Sequence, residues 1–303
     1  MMHGSRSIHT PSRRSVVLLF AALFALACAG TAAAEGPEGP WLDDLEAAQA
    51  KASAQGANIL VDLYADWCGW CKVLEERVFS TPEFQKYIEE QGFVLLRVDT
   101  EDGAEGSALQ ARYRAHSLPT TLILDSKMVK VGQIAGFAPT EEFIGYIDSQ
   151  LGAWQVILKN FDKVVSSGDV DLQRMMAEDM HERGDGARAA ALYGQVLERV
   201  QEGTDASAWL HYLTADAYRI DRQFDLARKA AKRSRAVATG LSGLDELNER
   251  LDLLSFYIAQ DNGDCQQAKT SLQLFLDDHP ASTLRPQLKR ALDALNRGEG
   301  TCA

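Results

Sequence analysis

Cys68 and Cys71 stand in the stretch Asn58–Leu74, NILVDLYADWCGWCKVL. The strand formers Ile59, Leu60, Val61, Leu63 and Tyr64 run into Cys68-Gly69-Trp70-Cys71, and a helical pattern follows. Both thiols therefore fall where a buried strand turns into the N-terminus of a helix. Residues at i and i+3 lie one turn apart, so the pair can close a small disulfide without moving the fold. The unpaired N–H groups and positive dipole end at a helix start stabilise a thiolate at Cys68, the thiol expected nearer solvent. This is a layout for thiol-disulfide exchange. Zinc ligation uses the same spacing but needs two more ligands, and no His or Cys pair is spaced to supply them. No Gly-rich phosphate loop, paired-carboxylate motif or Ser/His/Asp order stands out elsewhere.

Holding those thiols in place takes a sheet. Ahead of them, Trp41–Gln55 carries apolar residues at 41, 42, 45, 48 and 52, a helical stripe ending at Gly56. Behind them the pattern predicts a helix from about Gly69 to Val78, a break at Ser80-Thr81-Pro82, and a second helix over Glu83–Gln91. Phe93–Asp99 reads as a buried strand, Gly106–Ala115 as a helix, Thr120–Leu124 and Lys130–Ala135 as short strands, and Pro139–Leu151 as a closing helix. Such an order makes a sheet covered by helices on both faces.

Residues 41–152 resemble a thioredoxin-fold domain, and within that superfamily the periplasmic C-terminal domain of the DsbD family of thiol:disulfide interchange proteins. The residues that carry the resemblance are Val61-Asp62-Leu63-Tyr64-Ala65-Asp66-Trp67-Cys68-Gly69-Trp70-Cys71-Lys72, and Leu118-Pro119-Thr120 leading into a strand. It implies an α/β thioredoxin fold, a central mixed sheet flanked by helices. It also implies roles. Cys68 attacks and Cys71 resolves the mixed disulfide formed with a partner protein. Asp62, six residues before Cys68, is a buried acid whose raised pKa lets it pass a proton to or from Cys71; the alternative is an exposed acid at a strand end. Pro119 corresponds to a cis-proline facing the disulfide, which leaves backbone groups of Leu118 and Thr120 open to a substrate strand; the alternative is a trans proline opening a strand. Trp67 is expected beneath the site, and Trp70 exposed where it meets a partner. No metal and no cofactor beyond the redox-active disulfide are implied.

The sequence departs from that pattern in places. Trp70 stands where many thioredoxins have proline. The lysine that pairs with the buried acid in some thioredoxins has no evident counterpart in Phe93–Val98, where Leu95 or Arg97 stands. Asp99–Gly106 (DTEDGAEG) reads as an acidic, solvated loop, and His116, close to Pro119 in sequence, as a surface or structural histidine, with tuning of the site as the alternative.

From Trp154 onward the pattern is helical throughout, joined by turns containing Gly or Asp. Three stretches are alike: Arg183–Tyr193, Asp221–Ala227 and Asn262–Ala268, with Ala189, Ala227 and Ala268 in the same place, 38 and 41 residues apart. A small residue there lets paired helices approach closely. These stretches resemble tetratricopeptide repeats, with a period longer than that family's roughly 34 residues; an irregular helical bundle is the alternative. Such repeats imply binding of protein segments. Arg228, Lys229, Lys232, Arg233 and Arg235 form a basic cluster that reads either as a face for an acidic partner or as a solvated surface.

The domain reading is therefore 1–34 leader, 35–152 thioredoxin-like, and 153–303 an all-α TPR-like repeat domain. Arg6, Arg13 and Arg14 precede an apolar run, Val16–Ala27, and small residues end at Ala32-Ala33-Ala34, a secretory signal cut after Ala34. Cys28 after Ala25-Leu26-Ala27 leaves lipidation open, and Ser12-Arg13-Arg14 a twin-arginine signal. Glu35–Pro40 is a Pro/Gly-rich connection. Without the leader the chain has 28 basic against 43 acidic residues, a net −15, which argues against nucleic acid as a partner. Four cysteines remain, an even number suited to an oxidising compartment. If a terminal helix over Ser282–Asn296 folds back on the last repeat helix, Cys302 comes near Cys265, and the expectation is a structural disulfide; the alternative is two unrelated thiols, buried or in the tail. The functional expectation is a periplasmic or otherwise exported thiol:disulfide oxidoreductase that reduces or exchanges disulfides of client proteins, with a separate redox partner, a membrane electron donor among the candidates, and protein segments bound on the repeats. The alternative is a non-catalytic assembly protein whose repeats do the work.

Overall fold

The computed structural model describes residues 40–101 and 103–298; the leader, Cys28 and Cys302 lie outside them. Five strands form one sheet: β1 (Trp41–Leu42), β2 (Ile59–Tyr64), β3 (Val94–Asp99), β4 (Thr120–Leu124) and β5 (Lys130–Ala135). Their order is β1-β3-β2-β4-β5, with β2 parallel to β3 and antiparallel to β4. The central strands read as near-continuous apolar runs because both faces of the sheet are covered.

Alternation along the strands sorts the side chains into two cores. Ile59, Val61, Leu63, Val94, Leu96, Leu122 and Leu124 face α1 (Leu45–Gln55) and α4 (Gly103–Tyr113). Leu60, Leu95 and Ile123 face the other way, onto α2 (Gly69–Leu74), α3 (Pro82–Gln91) and α5 (Thr140–Ser167). A π-helical turn, Glu75–Phe79, continues α2 and carries the buried Val78 and Phe79. Thr81 caps α3 by accepting from Phe84 N, and Pro82 occupies its first turn, where a missing N–H is harmless.

Three local expectations change. Trp41-Leu42, read as the start of a helix, is a strand paired with Leu95-Leu96, and Asp44 caps a helix that begins only at Leu45. The acidic stretch after Asp99 is not loop through Gly106, because α4 already starts at Gly103. Gly106 is packed so tightly that an added Cβ would lie 2.1 Å from Asp99 O. Finally, the helix expected to end at Leu151 runs on to Ser167.

That long helix joins the two halves of the chain. Its first part buries Phe143 and Ile147 against the sheet, and its second buries Trp154 and Val164. The same core continues through Met180, Leu192, Tyr193 and Leu210. The described residues from Pro40 onward belong to one compact unit. Arg183 strengthens the junction: its Nη1 donates to the carbonyls of Lys130 and Val131 on β5, at 3.1 and 3.3 Å, and its guanidinium lies over the Trp154 ring.

The remaining helices are α6 (Val170–Arg183), α7 (Gly186–Leu197), α8 (Asp205–Ile220), α9 (Phe224–Ala238), α10 (Asp245–Asp261), α11 (Cys265–Asp278) and α12 (Arg285–Asn296). The repeated stretches fall at the turns between α6 and α7, α8 and α9, and α10 and α11. Each turn closes the same way. Gly184, Arg222 and Gly263, each five residues before the repeated alanine, take the left-handed conformation. Their N–H groups bond back three residues, and the next N–H bonds back five: Asp185 to Met180, Gln223 to Tyr218, Asp264 to Ala259. Ala189, Ala227 and Ala268 are fully buried. The helical region thus fits TPR-like helices. A polar network ties successive pairs together: Arg219 donates to Asp216 and Asp261, both at 2.6 Å, and His181 Nε2 lies 2.9 Å from Asp216 Oδ2. Burial alone would raise the Asp216 carboxyl, but the His181 hydrogen bond and the Arg219 charge outweigh it and hold its pKa at about 2. Among the described residues no helix is long and apolar enough to cross a membrane.

Candidate redox site

Strand β2 ends at Tyr64, and Ala65-Asp66-Trp67 turns the chain into α2. Cys68 is the N-cap of that helix: its Sγ accepts from Cys71 N at 3.1 Å, and a disulfide joins the two cysteines with their Cα atoms 5.3 Å apart. Ala65, Tyr64 and Leu118 pack around the pair. Cys68 and Cys71 are almost equally covered, 4% and 5% exposed, so in this oxidised form Cys68 is not the one nearer solvent. What distinguishes it is position, at the cap and between the exposed Trp67, Gly69 and Trp70.

Asp62 lies two residues beyond Leu60 and so on the α2 side of the sheet. It is 1% exposed. Burial pushes its carboxyl up to about 6, against the opposing pull of Arg97. Arg97 is its partner in the β2–β3 register, and its Nε donates to Asp62 Oδ2 at 3.2 Å. The guanidinium also pairs with Glu75 in the π-helical turn and lies between the rings of Trp41 and Tyr64, 5.5 and 5.2 Å from their centroids. Asp62 Oδ1 and Thr121 Oγ1, opposite each other in the β2–β4 register, are both buried without a hydrogen-bond partner. The absent lysine is thus replaced by Arg97, one of two positions the sequence left open. Glu75 was not anticipated, and nothing in its helical pattern marked it.

The Leu118-Pro119 bond is cis. Pro119 is buried; its carbonyl accepts from Gly136 N at 2.9 Å, which ties the loop to the end of β5. Leu118 is half-buried against the cysteines. Thr120 is fully buried, its hydroxyl donating to Ser117 O at 2.6 Å, so its side chain braces the loop. Trp70 stands 62% exposed and stacks on Phe137. Trp67 does not lie beneath the site: it is 68% exposed, and its Nε1 donates to Glu101 Oε1 at 2.7 Å. The sharp turn between β2 and α2 directs it outward and leaves the space below to Ala65. His116 is exposed. Among the described residues no group of three His, Cys, Asp or Glu side chains converges to hold a metal.

Residues 40–126 match the model of the thioredoxin-like family. This part of the chain is similar to that family. Its curated relatives include the thiol:disulfide interchange protein DsbD of Cronobacter sakazakii, 36% identical over 113 residues, which are 36% of this chain and 19% of that protein. DsbD of Haemophilus influenzae strain PittGG is 36% identical over 95 residues, 30% of this chain and 16% of that protein. The chain therefore spans less than a fifth of the length of these relatives. Among solved structures, the oxidised C-terminal domain of Neisseria meningitidis DsbD aligns over 36% of this chain and 98% of its own, at 21% identity and a TM-score of 0.32. A thioredoxin from Thermus thermophilus aligns over 36% and 84%, at 28% identity and a TM-score of 0.32. The thioredoxin-like domain has the mixed five-stranded sheet expected of that fold, followed by the helical region.

Proposed function

We propose that this chain is an exported, periplasmic thiol:disulfide oxidoreductase, with Cys68 the attacking and Cys71 the resolving thiol. The observation that carries the reading is the Cys68–Cys71 disulfide closing the first turn of α2, on the sheet face that holds the buried Asp62. In the reducing direction, the Cys68 thiolate attacks a client disulfide and displaces one client thiolate. The Cys71 thiol then gives its proton to Asp62, and its sulfur attacks Cys68 Sγ, releasing the second client thiolate. Two electrons pass to the client, and the chain is left as the disulfide. A separate dithiol protein restores the reduced pair. The loop at Leu118-Pro119 and the Trp70–Phe137 stack form the surface against which an extended client lies, and the helical repeats hold further protein segments.

Reduction of insulin by dithiothreitol, followed as turbidity, tests this. The chain accelerates the reaction and Cys68→Ser abolishes the acceleration; equal rates for the two defeat the proposal. Cys71→Ser accumulates mixed disulfides, and mass spectrometry of the trapped species names both client and redox partner.

A further inference from the structure

A groove of about 460 Å³ is lined by α9, α10 and α11. Its floor is made of short or buried side chains, Ala231, Ser255, Ala259 and Ser271, which is why a depression exists there. One wall carries Arg228, Lys232 and Arg235, at i, i+4 and i+7 of α9, all exposed. The opposite wall offers the amides of Gln267 and Asn262. Asp264, the acid in the lining, is already engaged as the cap of α11, accepting from Gln267 N.

The basic wall is only weakly neutralised at Arg228 and Lys232. Arg228 pairs with Asp225 one turn before it, whose side chain is 96% exposed, and such a pair contributes little in water. Arg235 is held by Asp252 at 2.6 Å. Lys232, between them, has no ion pair among the described residues. This row of cations belongs to a chain with a net charge of −12, so it is a local reversal of the molecule's field. Along the helix axis the three cations are spaced by about 6 and 4.5 Å. In an extended segment, side chains on one side recur every ~6.7 Å. Carboxylates at alternate positions match the Arg228-to-Lys232 step, and the long Arg235 side chain takes up the shorter second step; on the other wall Asn262 and Gln267, whose Nε2 already donates to Ser271 Oγ at 3.2 Å, offer amide groups to a peptide backbone. The cations are spread along about 10 Å rather than converging on one point, which favours a chain over a single small anion.

We propose that this groove docks an extended acidic segment of a partner protein, with Asp or Glu at alternate positions. The proposal rests on the helical region being the partner-binding part of the molecule, and names the chemistry of what it binds.

The test is fluorescence anisotropy of a labelled, end-blocked peptide alternating Glu and Ser, titrated with the full chain at low and moderate salt. The expected result is saturable binding, weakened at least tenfold in the Arg228→Glu/Lys232→Glu double variant, reduced by salt, and absent for the matching Gln/Ser peptide. Lys232→Arg binds as the parent does. Both substituted side chains are exposed, and far-UV circular dichroism verifies the fold. The proposal is overturned if no saturable binding occurs, if the double variant or the Gln peptide binds equally, or if inorganic phosphate or anionic phospholipid vesicles compete equally at matched charge. Insulin reduction, unchanged in the double variant, is read separately. Absence of turnover in the parent chain defeats the redox reading and leaves the docking result to stand on its own.

Discussion

Arg97 Nε donates to Asp62 Oδ2 at 3.2 Å across the two parallel strands at the centre of the sheet, which pairs a buried carboxyl with a half-buried guanidinium. Burial outweighs the arginine, so the Asp62 carboxyl titrates near 6 rather than near 3.8. The folded protein therefore binds that proton more tightly than the unfolded chain does. Stability falls as pH rises from about 4 to about 6, and above pH 6 the ionised carboxylate costs on the order of 2–3 kcal/mol. Asp62→Asn removes the penalty. In urea denaturation it is more stable than the parent at pH 7.5 by about that amount, and the difference vanishes near pH 4. A variant less stable than the parent at pH 7.5 contradicts the assignment.

Arg97→Met retains an apolar stem between Trp41 and Tyr64 but deletes the charge. With the arginine's pull gone, the Asp62 carboxyl rises further above 6. The pH at which insulin reduction gains its proton acceptor moves up with it, whereas Arg97→Lys leaves the profile in place. A profile unmoved by Arg97→Met would falsify the link between this arginine and the proton route.

Trp154 is 6% exposed in the middle of α5, where the sheet core meets the helical core. Because one apolar core spans both parts, the thioredoxin-like and helical regions unfold together, with aromatic fluorescence and far-UV circular dichroism following the same curve. Trp154→Ala lowers the midpoint of that single transition, by about 3–5 kcal/mol in stability. Two resolved transitions in the parent chain count against a shared core.

Cys302 lies outside the described residues. Peptide mapping of the unreduced protein, expressed into an oxidising compartment, is expected to recover a Cys265–Cys302 linkage. Closing that 38-residue segment stabilises the chain by about 3–4 kcal/mol if unstrained. Recovery of an alkylatable Cys302 thiol refutes it.

Much of this protein was legible in its sequence, for reasons that are local. Thr120–Leu124 and Lys130–Ala135 are strands with the bounds their composition predicts, because β-branched and apolar runs bounded by turn residues have few alternatives. The CxxC at a strand-to-helix turn needs only neighbours in sequence, and so does the repeated turn, whose Gly or Arg lies five residues before a buried alanine. What the sequence left open depends on residues distant along the chain. Trp41-Leu42 fits a helical stripe until β3 offers backbone partners. Arg97 becomes the partner of Asp62 only through a register fixed by the packing of two whole strands, and Glu75 joins them through the π-helical turn. The length of α5 was decided by the apolar surfaces at its two ends, since a helix continues as long as each turn has something to bury. Sequence periodicity thus determined the central strands, most of the helices and where the thiols sit. Tertiary packing decided which charges meet beneath them, because burial and cross-strand register are properties of the assembled sheet and not of any one segment.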